Sequence, residues 1–144
     1  MAEQSYAKHA KYVPMYHGVL FGLLVIAFIL SLVNLFRHIS EPGGRTTLVI
    51  LVLLCFSGLL FFVFTRAFAM KVQDRAIRAE ENLRHYVLTG KLLDHRLSIK
   101  QIVGLRFASD AEFPELARKA ADQGLPPKEI KQAVKNWRPD HDRA

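Results

Sequence analysis

A chain of 144 residues, 51% of them hydrophobic, carries two stretches that are apolar on every side and is too short to bury both in a soluble core. Its net charge of +7 is spread along the chain with no concentrated basic tract, so contact with an anionic membrane leaflet accounts for it without a nucleic-acid partner. The single cysteine, Cys55, excludes an internal disulfide and a cysteine-built metal cluster.

Residues 1–17 read as a short amphipathic lead on the cytoplasmic side. Tyr6, Tyr12, Tyr16, His9 and His17 alternate there with Lys8 and Lys11. Tyrosines at headgroup level anchor a chain at the membrane surface, so Tyr12, Tyr16 and His17, with Arg66 beyond the second span, are the expected interface anchors. An arm that binds a partner is the alternative for this lead. Pro14 precedes or opens the first helix.

Residues 18–36 and 46–64 are the two apolar blocks. Each is 19 residues long, holds fourteen residues drawn from Leu, Ile, Val and Phe, and contains no charge. At about 1.5 Å per residue each covers roughly 28 Å, the thickness of a bilayer core. The first exceeds the apolar core of a cleaved signal, and Arg37 and His38 follow it where a small-residue cleavage site would stand. The predicted spans are 18–36 and 46–65, with 37–45 as an external turn in which Pro42-Gly43-Gly44 reverses the chain. Lys8, Lys11, Arg66, Lys71, Arg75 and Arg78 flank one side and only Arg37 and Arg45 the other, so both termini are expected in the cytoplasm.

Gly18 and Gly22 form a G-x-x-x-G pattern, and Gly58 is expected at similar depth in the second span. These three are the helix-packing candidates, with Gly22 facing Gly58. His17 and His38 flank the first span, but the second has no histidine to complete a bis-histidine haem site. Neither span holds an ionisable carboxylate or amine, which argues against a proton or ion path.

Residues 66–89 lack Pro and Gly and continue the second span as one helix of about 43 residues, roughly 65 Å long. Val72, Ala76, Ala79, Leu83 and Tyr86 or Val87 fall on one stripe, expected to pack on the terminal domain or, alternatively, on a partner chain. Asp74–Arg78, Glu80–Arg84 and Glu81–His85 are i,i+4 pairs of the favourable order. Thr89-Gly90 ends the helix.

Residues 90–144 read as a small cytoplasmic helical domain. Ser98 and Gln101 form a capping box, and Ser109 with Glu112 a second. The second helix carries Phe113, Leu116, Ala117, Ala120 and Ala121 on one face and stops at Gly124, with a restart at Pro114 as the alternative beginning. Pro126-Pro127 opens a last helix in which Ile130, Ala133, Val134 and Trp137 share a stripe and Arg138-Pro139 is the end. Leu92, Leu93, Leu97, Leu105 and Phe107 complete the expected core. The fold class is therefore an all-α membrane protein, an antiparallel two-helix transmembrane hairpin whose second helix extends into that domain.

Lys128, Lys131, Lys135 and Arg138 lie away from Trp137 on the last helix and form the candidate interaction face. A helix-turn-helix reading is open there, but Asp122, Glu129, Asp140 and Asp142 dilute the field, and a solvated or leaflet-facing surface is favoured over DNA. His85, His95 and His141 with Asp94, Asp140 and Asp142 match no compact metal-ligand spacing. No nucleophile-and-base arrangement and no phosphate-binding glycine loop occurs, so neither catalytic nor cofactor residues are assigned.

Three strings carry a resemblance. They are Gln4-x-Tyr6-x-x-His9-x-Lys11-x-x-Pro14-x-x-His17, Leu105-Arg106-Phe107-Ala108-Ser109-Asp110-x-Glu112-x-Pro114-x-Leu116, and Ile130-Lys131-x-Ala133-x-Lys135-Asn136-Trp137-x-Pro139-Asp140-His141. With the hairpin between them, the chain resembles an uncharacterised family of small bacterial two-span membrane proteins, domain of unknown function 6526. The resemblance implies bacterial origin and two spans with a helical tail, and the expected location is the bacterial inner membrane. It implies no activity and no site residues. The expected function is a non-enzymatic membrane-anchored interaction module or accessory subunit of a larger membrane complex. The expected partners are the lipid bilayer with a protein or a second copy. A membrane-tethered nucleic-acid-binding regulator is the alternative.

Overall fold

The computed structural model describes residues 12–41 and 43–140. Tyr6, Lys8, His9, Lys11, Pro42, His141 and Asp142 lie outside the described residues. The described chain is helical: π-helical turns at Met15–Leu20 lead into α1 (Phe21–His38), followed by α2 (Arg45–Thr89), α3 (Ile99–Leu105), α4 (Phe113–Gln123) and α5 (Pro127–Ala133). Among the described residues there is no strand, and an isolated antiparallel bridge pairs Ala108 with Trp137. The chain divides into two compact units, residues 12–68 and, among the described residues, 69–140.

The first unit contains two helices long and apolar enough to cross a membrane. Pro14 caps the π-helical turns, where its missing N–H removes no intrahelical bond. Side chains of the two helices meet in opposite order along the chain: Tyr16 stacks on Phe62 at 4.3 Å, and Phe28 tilts against Phe56 at 5.9 Å. Between them Gly43 and Gly44 hold φ of +96° and +120°, a region that side chains other than glycine's rarely enter. The Arg45 Nε donates to the Ile39 carbonyl at 2.9 Å and closes this link.

The expected facing of Gly22 and Gly58 does not form. A Cβ on Gly58 would stand 3.2 Å from the Leu24 side chain, while nothing lies within 4 Å of one on Gly22. Leucine fills the notch that Gly58 leaves, so the small residue packs against a large one. Gly18 is spared a Cβ for a different reason, since the Tyr12 hydroxyl would be 3.2 Å away.

In the second unit α2 runs on without interruption for 45 residues in all. The expected apolar stripe is on the uncovered side of it: Val72, Leu83, Tyr86 and Val87 are exposed, and Ile77 and Glu81 are the buried residues of this helix. Periodicity marks an apolar face without marking what covers it. The i,i+4 pairing also differs, because Arg84 bonds Glu81, three residues before it, in place of Glu80.

The three short helices enclose one core of Leu97, Ile102, Leu105, Phe113, Ala120 and Ile130 with their neighbours. Ser98 accepts from the Gln101 N–H and Gln101 answers from its side chain, the complete capping box that its sequence spacing predicts. The Gln101 amide also donates to the Leu125 carbonyl at 2.9 Å, tying the start of α3 to the end of α4. Gly124 closes α4 at φ +62°. Leu92, expected in the core, is exposed.

Two corrections concern the last third. Ser109 and Glu112 form only half of a box, the Ser109 N–H donating to Glu112, and α4 starts at Phe113 with Glu112 in the N-cap position and Pro114 in its first turn, the alternative beginning. And α5 stops at Ala133, where Val134 turns extended at φ −66°, ψ 120°. Trp137 is therefore not on a helical stripe. It reaches the core from an extended tail, stacking at 4.8 Å on Phe107.

Trp137 is the only tryptophan, so its fluorescence reports this tail and core directly. Phe113 is fully buried, and Phe113→Ala in the full chain is expected to lower stability of the second unit by about 3–5 kcal/mol. Denaturant titration followed at Trp137 measures it. An unchanged midpoint would contradict this core.

Candidate functional site

Each unit holds one cluster of polar and aromatic side chains. In the first, the π-helical turns present Tyr16 and His17 side by side. The Tyr16 hydroxyl donates to the Phe62 carbonyl at 2.8 Å while its ring lies on the Phe62 ring. The His17 Nδ1 lies 3.1 Å from both the N–H and the carbonyl of Val13, and its ring stacks on Tyr12 at 5.1 Å. Thus three expected interface anchors, Tyr12, Tyr16 and His17, share one aromatic cluster. Arg66 lies one turn of α2 beyond Phe62 and is half-buried. His38 pairs instead with Glu41 at 2.9 Å in the link after α1.

In the second unit the centre is Arg84. Its Nε donates to Asp110 at 2.7 Å, one terminal nitrogen to Glu81 at 3.0 Å, and the other to the Ala108 carbonyl at 2.7 Å. The guanidinium carbon also sits 4.4 Å above the Phe113 ring. Arg84 and Glu81 are 10% and 8% exposed at their side chains, so this is a desolvated pair held by further hydrogen bonds. Nearby, Asn82 accepts from the Leu93 N–H at 3.2 Å and His85 contacts the Lys91 carbonyl at 2.7 Å. Arg84 thus fastens α2 to the 91–113 segment through polar contacts.

A groove of about 430 Å³ opens beside this joint, lined by Ile77, Glu80, Glu81, Arg106, Arg138 and Asp140 among others. Arg106 is nearly buried, lies over the Phe107 ring at 4.7 Å, and its Nε is 3.2 Å from Asp140. The groove has carboxylates and guanidiniums in comparable number, so it favours neither an anion nor a cation.

The candidate face of Lys128, Lys131, Lys135 and Arg138 is not one helical face. Lys128 and Lys131 are on α5, whereas Lys135 and Arg138 follow its end. The Lys131 ammonium is directed over the Phe107 ring at 5.7 Å. The cause is Glu112, whose carboxylate accepts from the N–H groups of Lys135 at 3.2 Å and Asn136 at 3.0 Å and so draws the tail out of the helix. The N–H of Arg138 then donates to the Phe107 carbonyl at 2.7 Å.

Sequence reasoning missed Arg84 and Glu112 as organising groups. The spacing of Glu112 from Ser109 pointed to a cap, and part of that contact exists: the Ser109 N–H donates to Glu112 at 3.2 Å. Burial raises the Glu112 carboxyl, but the N–H donors of Asn136, Lys135 and Ser109 outweigh it and hold the group below its ordinary value. On the surface, the bidentate hydrogen bond from Arg96 holds Asp94 well below the usual carboxylate range, and Arg96 bridges on to Asp122 at 2.9 Å. Among the described residues no group of three His, Cys, Asp or Glu side chains is placed to hold a metal.

A family model described as a family of unknown function, DUF6526, matches residues 1–144. No curated protein and no solved structure matches the chain.

Two variants test the joints. Arg84→Ala leaves Glu81 buried without its cation and is expected to destabilise the second unit by about 3 kcal/mol; full-strength Trp137 protection in that variant would contradict the joint. Glu112 is half-exposed, so Glu112→Gln is expected to cost a smaller amount, about 1 kcal/mol at neutral pH. Because its folded pKa is depressed, its contribution is present above the unfolded value near 4.3 and is lost as pH falls below it. Wild type should therefore lose stability on acidification across that window, and Glu112→Gln should show a shallower dependence in the same fluorescence assay.

Proposed function

The chain belongs to the family of unknown function DUF6526, and we propose that it is a bacterial inner-membrane anchor for a cytoplasmic helical interaction module, without enzymatic activity. In this reading α1 and the first half of α2 cross the bilayer as an antiparallel hairpin, both termini are cytoplasmic, and the module serves as an accessory subunit of a larger membrane complex. One observation carries it: none of the most apolar stretch of α2 is buried within the protein. At about 25 cal/mol per Å², so much exposed apolar surface is untenable in water and is satisfied by lipid.

Further features support the same reading. The aromatic cluster of Tyr12, Tyr16 and His17 stands at the end of the helix pair where Tyr16 meets Phe62, one turn before Arg66, as membrane-interface anchors do. Ser31, in the middle of α1, donates to the Phe28 carbonyl at 2.7 Å, which keeps its hydroxyl satisfied without water. A membrane-tethered nucleic-acid-binding regulator is the alternative, and it would use Lys128 and Lys131 on α5 with Lys135 and Arg138 beyond its end.

The expected result of an alkaline carbonate wash is that the full chain stays with the membrane pellet. A reporter fused after Ala144 that requires the cytoplasm should be active. Release into the wash would remove the anchor reading, and a fusion active only outside would invert the topology. Purification in gentle detergent should bring partner chains with it; a lone monomer would count against the subunit role.

A further inference from the structure

We propose that residues 69–86 of α2 pair with the same segment of a second copy of this chain as a parallel two-stranded coiled coil. The inference rests on the membrane reading above. With Ala69 taken as position a of a heptad, Ala76 and Leu83 are the next a positions and Val72, Ala79 and Tyr86 are the d positions. All six are exposed, with Val72 at 69%, Leu83 at 63% and Tyr86 at 53%. The opposite side of the same helix is occupied. Ile77, Glu81 and Arg84 fall at b and f, the outer positions of a coiled coil, and these are the residues that hold the 91–113 segment. The helix thus carries its own domain on its outer face and leaves its seam uncovered.

Charge and topology select the occupant. Arg75 falls at g and Glu80 at the following e, the two positions that meet between chains when two such helices lie parallel and in register. Among the described residues neither has an ion-pair partner within its own chain. Two copies inserted in one bilayer have the same direction and the same depth, so they satisfy that condition without adjustment. An antiparallel partner would set g against g and leave Arg75 away from Glu80. The membrane also concentrates the two strands, so a seam too short to associate in dilute solution can pair there.

The test uses the full chain in native membranes with Cys55→Ser as background. Leu83→Cys and Tyr86→Cys, both at exposed seam positions, are expected to give a disulfide-linked dimer under mild oxidation with copper phenanthroline. Arg78→Cys, on the outer face, is expected to give none. Equal dimer at all three positions, or none at the seam, overturns the proposal; a Leu83→Cys adduct of another mass without dimer overturns it in favour of a different partner. Arg75→Glu or Glu80→Arg alone should diminish the dimer and the two together should restore it, and failure of that rescue overturns the parallel pairing. Protein lost from the membrane in the carbonate wash would refute the anchor reading itself, a result separable from all of these.

Discussion

The second unit depends on one guanidinium. Arg84 supplies donors to Asp110, Glu81 and the Ala108 carbonyl and lies on the face of Phe113, so α2, the 108–110 loop and the start of α4 converge on a single side chain. An arginine can do this because its donors form a fixed planar fork and its charge is not lost at accessible pH. The only apolar side chain of α2 buried beside it is Ile77. The attachment of this helix to its domain is therefore mainly polar. Polar joints are directional: they fix which side of the helix is covered, where an apolar seam would tolerate rotation. The uncovered stripe from Val72 to Tyr86 follows from that choice.

The same helix meets two different demands along its length. In residues 48–64 the helical backbone bonds within itself and the side chains are apolar apart from Ser57, the condition for crossing hydrocarbon. After Arg66 the backbone is unchanged but charged residues recur from Lys71 to Arg84, and Ile77, Glu81 and Arg84 define a covered side. No Pro or Gly lies between the two parts apart from Gly58, whose missing side chain admits Leu24.

Much of this was legible in the sequence because local chemistry decided it. The box of Ser98 and Gln101, the stripe from Phe113 to Ala120, the stop at Gly124 and the unbroken α2 each rest on interactions within a few residues. What was not legible rests on contacts far apart in the chain. Lys135 and Asn136 have ordinary helical character, yet Glu112, more than twenty positions earlier, takes their N–H groups and ends α5. That contact also dispersed the basic face, since Lys135 and Arg138 moved off the helix with the tail. Likewise the stripe on α2 was correctly located as apolar, but which side Arg84 would turn toward the domain is set by Asp110 and Ala108. The facing of Gly22 with Gly58 failed for a related reason: small residues mark where approach is possible, and a leucine is as good a filler as another glycine.

The titrating groups carry the functional argument one step further. Asp94 and Glu112 are held below and Arg96 above their ordinary values, each by hydrogen-bonded neighbours. A carboxylate that already accepts several N–H bonds, as Glu112 does, has its lone pairs committed and its proton affinity lowered. Asp94 and Arg96 neutralise one another on the surface and fasten the segment before α3 to α4 through Asp122. In the second unit these polar interactions hold the short helices and the tail after α5 together. What the second unit leaves exposed is above all the apolar stripe of α2 from Val72 to Tyr86.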